Sequence, residues 1–246
     1  MILLPLLMLF GVWQWVGSIS PRLFFLYATP TSVISTLVME LGRSAFWGDI
    51  AITSAEVIGG LIIGNGLGTG LALLLWLYPR ASEVFRPYVI ALSSIPIFAV
   101  MPLFILWFGI GFAAKLAIIV FSTAFVALAY SLAVAISVSK KYEEMVVSFG
   151  GSRAVLLRKV VVPGVIARSF VAYRMNVSFA LIGAYIAEWV SAERGLAQFI
   201  LRATNLYDVP RVWAGLTVFL IIAFVLYAIT GAIERKVVPS REISQQ

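Results

Sequence analysis

Long stretches without any charged side chain are the feature that most limits what this chain can fold into. A helix needs about 20 residues to cross the hydrocarbon core of a bilayer. The five strongest candidates for such helices are Met1–Pro21, Val57–Pro79, Pro87–Ala114, Leu116–Ser139 and Val212–Ile233. With 62% apolar and 12% charged residues among 246, the chain has more apolar surface than a soluble core of this size buries. The composition therefore excludes a soluble enzyme and a disordered chain.

A sixth candidate span, Ser169–Ala187, is interrupted by one charged residue, Arg174. An arginine costs about 2.5–3.5 kcal/mol at the bilayer centre and less near a helix end, so the segment still inserts. Lipid offers the backbone no hydrogen-bond partners, so the spans must be helical. The sequence therefore predicts an all-α integral membrane protein, a single domain over residues 1–246, with six transmembrane helices at about residues 2–19, 55–78, 88–110, 114–138, 169–188 and 212–233.

Two apolar segments are not interpreted as their composition first suggests. The uncharged run from Leu23 to Met39 is broken by Ala28-Thr-Pro-Thr-Ser32, which predicts a turn followed by an interfacial amphipathic helix from Ser32 to about Phe46. The glycine-rich run Gly64–Gly70 lies inside an apolar span and follows no predicted strand. It is therefore not a nucleotide-binding loop, and its small residues are expected to permit close helix packing.

The basic residues set the orientation, because loops rich in Lys and Arg stay in the cytoplasm. One side of the membrane is predicted to hold Arg80, Arg86, Lys140, Lys141, Arg153, Arg158, Lys159, Arg168, Arg235, Lys236 and Arg241. The other side holds fewer: Arg22, Arg43, Lys115, Arg194, Arg202 and Arg211. Both termini lie on the first side and are therefore predicted to be cytoplasmic. The pI near 9.9 then reflects topology, and no nucleic-acid partner is expected.

The first span is expected to be retained and not cleaved as a signal peptide. No basic residue precedes it, the apolar run is long, and it contains Trp13 and Trp15. The lack of a preceding basic residue suggests that a short leading segment is missing from this sequence.

The chain contains no Cys and no His. Thiolate nucleophiles, cysteine or histidine metal sites and Ser-His-Asp catalysis are therefore excluded.

The predicted cytoplasmic stretch at residues 139–168 is basic and amphipathic. Its first part, Lys141–Phe149, has Glu143 and Glu144 in the first helical turn, where the helix dipole favours acids. The pair Gly150-Gly151 then interrupts the helix.

A second short helix is expected after these glycines. Ser152 is expected to cap it, Arg153–Val161 to form it, and Pro163 to end it. One interpretation places the stretch on the lipid headgroups, with its basic residues toward anionic lipid. The other makes it a docking element for a cytoplasmic partner, because the glycines form a compact corner that leaves Phe149 exposed.

The run Glu144-Met-Val-Val-Ser-Phe-Gly150 is followed, after nine residues, by Val160-Val-Val-Pro163. This arrangement resembles the EAA loop of the permease subunits of binding-protein-dependent ABC importers, whose pattern is Glu-Ala-Ala, three residues, Gly, nine residues and Ile-x-Leu-Pro. The Glu, Gly and Pro match in type and spacing, and Met145 and Val146 replace the two alanines. The stretch also lies between the fourth and fifth predicted spans, as it does in that family.

Other segments resemble the nitrate, sulfonate and taurine branch of the family. Ser94-Ile-Pro96 and Met101–Gly111 look like its third span. Further positions that match the branch are Arg174, Ala187-Glu188 and Gly195-Leu196. One departure is Glu56, where relatives usually carry Arg, which puts a charge-pair role there in doubt.

The resemblance implies a type I importer permease of the bacterial inner membrane, with the loop as its coupling helix. Two copies of the chain would form a pore, two ABC ATPase subunits would dock beneath it, and a periplasmic or lipid-anchored binding protein would deliver the solute. The chain has no Gly-x-x-x-x-Gly-Lys-Ser/Thr loop, so ATP and Mg²⁺ are expected on the ATPase, and no catalytic, cofactor or metal site is expected here. The residues expected to couple to the ATPase are Glu143, Glu144, Phe149, Gly150, Gly151, Ser152, Arg153 and Pro163.

Polar residues inside predicted spans are the candidates for the solute pathway. They are Ser93, Ser94, Thr123, Arg174, Asn176, Ser178 and Glu188. Arg174 either supplies the positive field that an anion needs or extends to the cytoplasmic headgroups. Glu188 is expected at the periplasmic mouth, where the segment up to Arg211 would meet the binding protein.

The branch resemblance favours a small anionic solute of sulfonate, taurine or nitrate type, and the alternative is an aromatic acid, a thiamine precursor or a riboflavin-like solute.

The sequence fits two other classes of membrane protein less well. A secondary transporter needs buried acids for ion coupling, and the spans offer only Glu56 and Glu188 at their edges. A membrane enzyme without Cys or His needs a Ser-Lys or paired-carboxylate site, and Lys115 is expected in a short turn with no acid nearby.

Overall fold

The computed structural model describes residues 3–191 and 193–237, and nearly all of them are helical. No strand occurs in these two ranges. The helices are α1 (Leu3–Ile19), α2 (Pro21–Tyr27), α3 (Pro30–Leu41), α4 (Ser44–Leu77), α5 (Pro79–Ser93), α6 (Ile97–Phe108), α7 (Phe112–Ser148), α8 (Arg153–Leu156), α9 (Val162–Ser191), α10 (Leu196–Asn205) and α11 (Val209–Val237). Residue 2 of the first predicted span and the basic residue Arg241 lie outside the described residues.

Three of the described helices are long and apolar enough to cross a membrane, namely α4, α7 and α11. Two pairs of helices pass the same test together, α2 with α3 and α5 with α6, so the number rises to five if each bent pair is one span. Helix α9 has 30 residues, but Arg174 and Asn176 lower its apolarity and it is not among these helices. The apolar segment Leu7–Ile19 of α1 is shorter. Six spans therefore remain a prediction.

The third predicted span, 88–110, is not one continuous helix. Helix α5 begins earlier, at Pro79, and α5 and α6 are bent by 96° across Ser94–Pro96. Proline lacks a backbone N–H and disfavours helical geometry in the residue before it, so Pro96 starts a new helix instead of continuing the old one.

The interfacial helix expected from Ser32 to Phe46 has different bounds. Helix α3 starts at Pro30, where the Thr29 hydroxyl accepts a hydrogen bond from the backbone N–H of Ser32 and the Ser32 side chain accepts one from the Thr29 N–H. This reciprocal capping fixes the helix start. The helix ends at Leu41, and Phe46 belongs to α4.

The stretch 139–168, expected as a loop with two short helices, is mostly continuous with the neighbouring long helices. Helix α7 runs on to Ser148, and α8 passes through a π-turn, Leu157–Val161, directly into α9. The expectation that Pro163 ends a helix is wrong, because α9 begins at Val162. The wider π-turn displaces the preceding carbonyl groups that a proline ring meets in a regular α-helix.

The described helices fall into two compact units. The first contains the residues up to Ala55 together with Glu188–Ile222, and the second contains Glu56–Ala187 together with the residues from Ala223 onward. In the first unit, α1 packs against α2 and α3. In the second, α5, α6, α8 and the π-turn pack against α7.

Within the second unit, α4 and α7 approach closely along a stripe of glycines spaced by four residues. A Cβ atom on Gly60, Gly64 or Gly68 would overlap atoms of α7, with Thr123 opposite Gly64. Of the Gly64–Gly70 run, Gly64 and Gly68 therefore serve close helix packing, as the sequence predicted, whereas a Cβ atom on Gly66 or Gly70 would meet nothing within 4 Å.

Candidate functional site: coupling segment and polar residues of the spans

The corner between α7 and α8 is built by two glycines with different roles. The N–H of Gly150 donates to the Val147 carbonyl at 2.9 Å, and the N–H of Gly151 donates to the Val146 carbonyl at 2.8 Å. This pair of bonds is a Schellman motif, and it requires the left-handed backbone that Gly150 adopts at φ +73°. A Cβ atom on Gly151 would lie 2.6 Å from Cγ1 of Val146, so the second glycine is required for space.

This corner presents an apolar tip to solvent. The Phe149 side chain is 86% exposed, and Val147 and Met145 beside it are 65% and 49% exposed. The acids Glu143 and Glu144 flank the tip and are also exposed. Large exposed apolar side chains within a polar rim are typical of protein–protein interfaces. We call the exposed residues Met145, Val147, Ser148 and Phe149 the coupling tip.

The other side of the corner is anchored in the core of the second unit. Val146, Leu156 and Val161 are buried in a cluster that includes Trp76 at the end of α4 and Leu132 of α7. The corner therefore holds the coupling tip on a packed base.

The remaining predicted coupling residues lie around this corner with different contacts. Ser152 stands at the N-cap position of α8, but its side chain accepts no capping hydrogen bond there, contrary to expectation. Arg153 donates from Nη2 to the Trp76 carbonyl oxygen at 3.1 Å. Pro163 is exposed near the start of α9.

Two of the predicted pathway residues, Thr123 and Asn176, form a buried network with Asn65. The Asn176 side-chain amide donates to Oδ1 of Asn65 at 2.6 Å and to the Thr123 carbonyl at 3.0 Å. All three residues are 0% exposed. The network joins α4, α7 and α9 inside the second unit. Asn65 was missed from the sequence, although a polar residue inside an apolar span was the available signal.

A cavity of about 220 Å³ lies beside the break between α5 and α6. Its lining residues are Leu92, Ser93, Ile95, Pro96, Ile97, Phe121, Ser122, Phe125, Val126, Phe179 and Ile182. None of these lining residues is charged. Ser93 is the only predicted pathway residue among them, and Ser94 and Ser178 lie exposed outside the lining.

The two serine hydroxyls of this cavity already donate their protons to their own helices. Ser93 Oγ donates to the Ile90 carbonyl, and Ser122 Oγ donates to the Ile119 carbonyl, each at 2.8 Å. A hydroxyl that donates in this way keeps its oxygen lone pairs available. The cavity therefore offers a bound molecule aromatic faces and hydrogen-bond acceptors.

Arg174 pairs with an acid of another helix in the second unit. Its Nη2 lies 2.8 Å from Oε2 of Glu234 in α11, and its guanidinium stands 5.8 Å from the ring centre of Tyr227. Gly231 leaves the space that the guanidinium occupies. The positive charge of Arg174 is therefore balanced within the chain, by a partner that the sequence analysis missed because it lies 60 residues away.

Glu188 is fully buried in the first unit, where it fixes the start of α10. Its carboxylate accepts from the Thr53 hydroxyl at 2.5 Å and from the Ala197 backbone N–H at 2.7 Å. Gly195 adopts φ +126°, and a Cβ there would lie 2.5 Å from both carboxylate oxygens. The carboxylate thus satisfies an N-terminal N–H of α10, where negative charge is favourable.

Glu56 forms a buried ion pair with Lys115 within the second unit. This pair corrects two expectations, because Glu56 does take part in a charge pair and Lys115 does have an acid nearby. Glu56 and Lys115 lie far apart in the sequence, so no local sequence pattern predicts their contact. Among the residues that the structure describes, no group of three or more Asp or Glu side chains is placed to hold a metal ion.

The sequence profile of a known family, the inner membrane components of binding-protein-dependent transport systems, matches residues 64–239. The formylaminopyrimidine transport permease protein ThiX of Halalkalibacterium halodurans is 28% identical over 96% of this chain and 94% of its own length. The riboflavin transport system permease protein RibX of Chloroflexus aurantiacus is 31% identical over 95% of this chain and 87% of its own. The taurine transport system permease protein TauC of Escherichia coli is 26% identical over 95% and 87%.

The fold is also similar to that of solved transporter chains. A chain of the MetNI methionine ABC transporter in an inward-facing conformation matches with a TM-score of 0.63, 19% identity, and coverage of 83% of this chain and 99% of that chain. A chain of an amino acid ABC transporter crystallised with histidines matches with a TM-score of 0.59 and 16% identity, over 81% and 97%. At these identities the likeness concerns the fold.

Proposed function

Because the chain belongs to the family of binding-protein-dependent transport system inner membrane components, and is therefore the permease component of an ABC importer, we propose that it forms the solute pathway with a second copy of itself. Two ABC ATPase subunits bind below the pair and carry the ATP and Mg²⁺. A binding protein delivers the solute from the opposite side. Six helices span the membrane, and both termini face the cytoplasm.

The observation that carries the ATPase part of this proposal is the coupling tip. Phe149 stands 86% exposed on a corner whose two glycines and buried base leave little freedom to withdraw it. An exposed aromatic side chain on a rigid support is the kind of anchor that fills a pocket on a partner protein. The tip therefore docks into the ATPase, and the basic residues around it lie near the headgroups.

The test is purification of the tagged chain from membranes together with its ATPase subunit. Phe149→Ala is expected to reduce the amount of co-purifying ATPase at least about tenfold, since a central aromatic anchor contributes about 2 kcal/mol or more to an interface. Phe98→Ala is the matched control, because Phe98 is 65% exposed but lies in α6, away from the tip. Equal recovery of the ATPase with both variants would remove the docking role.

For the solute, the contacts favour the heteroaromatic class over the anion that the branch resemblance favours. Arg174, the expected source of a positive field, is already paired with Glu234. The cavity beside the α5–α6 break has three phenylalanine rings, free serine acceptors and no charged lining residue. Such a lining suits a flat, uncharged ring system with N–H donors. Relatives named for formylaminopyrimidine and riboflavin transport support this choice.

The solute class is tested by uptake into cells that express the chain with its ATPase and binding protein. Labelled aminopyrimidine, riboflavin and taurine serve as the probes. We expect uptake of one of the two heteroaromatic compounds and none of taurine. Uptake of taurine alone would restore the anionic solute and would leave the permease assignment unchanged.

A further inference from the structure

Arg153 makes two contacts with the same residue, Trp76, at the end of α4. Its Nη2 donates to the Trp76 carbonyl oxygen at 3.1 Å, and its guanidinium carbon stands 5.2 Å from the centre of the Trp76 ring. Both residues belong to the second unit. The guanidinium therefore lies against α4 although the residue begins the exposed segment after the glycine corner.

The carbonyl that Arg153 contacts belongs to a group that needs a partner. Trp76 is the next-to-last residue of α4. The last four backbone carbonyls of an α-helix find no N–H donor within the helix, so they accept hydrogen bonds from elsewhere. A cation at a helix C-terminus is stabilised by the helix dipole as well as by the hydrogen bond. Arg153 thus caps α4 from a different part of the chain.

The partner of Arg153 is rigid. Trp76 is 7% exposed and packs in the buried cluster with Leu156 and Val161. The ring and the carbonyl of Trp76 hold the guanidinium in one orientation, in contacts that suit its planar, delocalised charge. A displacement of Arg153 therefore acts on α4 itself.

A cavity of about 410 Å³ adjoins this contact and supplies charges of both signs. Its lining includes Glu83, Arg86, Glu143 and Arg153. The acids give Arg153 alternative partners near its present position. Arg153 is exposed, but its guanidinium contacts Trp76 of α4, whereas Phe149 of the coupling tip stands 86% exposed.

We infer that Arg153 is a positioning residue that transmits movement of the coupling segment to α4, and that it is not a contact of the ATPase. This inference rests on the proposed function. Pulling on Trp76 acts along α4, which carries the glycine stripe against α7 and the buried Asn65. Phe149 would provide the attachment and Arg153 the link to the transmembrane helix.

The experiment compares Arg153→Ala and Arg153→Lys with Arg158→Ala in proteoliposomes that contain the ATPase and the binding protein. Arg158 is an exposed arginine of the same segment and serves as the matched control. Two quantities are measured: co-purification of the ATPase, and the amount of solute imported per ATP hydrolysed. Thermal unfolding in detergent shows whether each variant is folded.

Arg153→Ala is expected to keep the ATPase bound and active but to lower solute imported per ATP about tenfold, because loss of a hydrogen bond to a charged group shifts the equilibrium that depends on it by about that factor or more. Arg153→Lys keeps the charge without the planar contacts and is expected to lie between Ala and wild type. Arg158→Ala is expected to stay within about twofold of wild type, as surface substitutions usually do.

Three results would overturn the inference. Loss of the ATPase from Arg153→Ala would make Arg153 a docking residue. A wild-type import ratio in Arg153→Ala would deny it any role in transmission, and if Arg153→Ala does not fold, a wild-type ratio in Arg153→Lys would do the same. Failure of the wild-type chain to bind an ATPase would instead contradict the proposed function, so the two failures are distinguishable.

Discussion

At the scale of single residues, Gly150 and Gly66 offer a matched comparison. A Cβ atom on either would have no neighbour within 4 Å, but Gly150 has φ +73° and Gly66 lies within α4. Alanine at Gly150 is expected to cost about 1–2 kcal/mol, since a side chain is disfavoured in the left-handed region. Alanine at Gly66 is expected to be neutral or stabilising by about 0.5–1 kcal/mol.

The measurement is the thermal unfolding midpoint of each variant in detergent, followed by co-purification of the ATPase. Gly150→Ala should lower both the midpoint and the recovered ATPase. If Gly150→Ala and Gly66→Ala have the same midpoint, the Schellman corner does not depend on the glycine conformation.

A second prediction at this scale concerns the pair of Arg174 and Glu234, which are 33% and 21% exposed at the side chain. Arg174→Gln is expected to destabilise the protein by about 1–3 kcal/mol, because it leaves the partly buried Glu234 without its cation. Adding Glu234→Gln should recover part of that loss.

The check is a double-mutant cycle of unfolding free energies, with uptake of a charged and an uncharged solute measured in parallel. If Arg174 instead serves the pathway, Arg174→Gln will reduce anion uptake selectively, and Glu234→Gln will not relieve the defect.

At the scale of elements, α10 depends on Glu188 for its start. Gly195→Ala would bring a Cβ within 2.5 Å of both Glu188 carboxylate oxygens at a backbone φ of +126°. We expect amide hydrogen exchange in α10 to rise at least about tenfold, since the opening free energy falls by more than 1.4 kcal/mol. Gly11→Ala is the control, because a Cβ on Gly11 meets nothing within 4 Å.

Unchanged exchange in α10 would show that the carboxylate does not hold the helix start. Unchanged exchange in Glu188→Gln would show that the negative charge is not needed for the helix start. Glutamine can accept a hydrogen bond from the Ala197 N–H but does not carry the charge of the carboxylate at the helix terminus.

The sequence was most informative where the physical signal is local. The apolar runs predicted α4, α7 and α11, and the Gly150-Gly151 pair predicted the corner that exposes Phe149. Helix continuity was predicted less accurately. The sequence predicted a separate helix over Lys141–Phe149, but α7 runs without a break from Phe112 to Ser148, with Val146 packed in a buried cluster.

The contacts between distant residues were not predictable from one sequence. Arg174 with Glu234, Glu56 with Lys115 and Arg153 with Trp76 each join separate helices. Spacing along a helix predicts only neighbours three or four residues apart. Pairs of this kind depend on how the helices pack, which no local pattern contains.

At the scale of the whole molecule, the absence of cysteine makes the orientation directly measurable. Ser148→Cys and Tyr207→Cys each introduce one reactive thiol at an exposed position. A membrane-impermeant maleimide should label Tyr207→Cys in intact spheroplasts and Ser148→Cys only in inverted vesicles. Labelling of Ser148→Cys from outside would reverse the proposed topology and would place the coupling tip where no ATPase can reach it.

The exposed ring of Phe149 also has a consequence for how the protein is made. A copy that has not yet bound its partner exposes the aromatic side chain of Phe149 on a rigid corner. Chaperones and proteases recognise surfaces of this kind. Cells that synthesise the chain alone should therefore degrade it faster than cells that also supply the ATPase, and Phe149→Ser should lengthen the half-life of the orphan copy in a pulse-chase experiment. The exposed corner would then require the cell to synthesise the permease and the ATPase in balanced amounts.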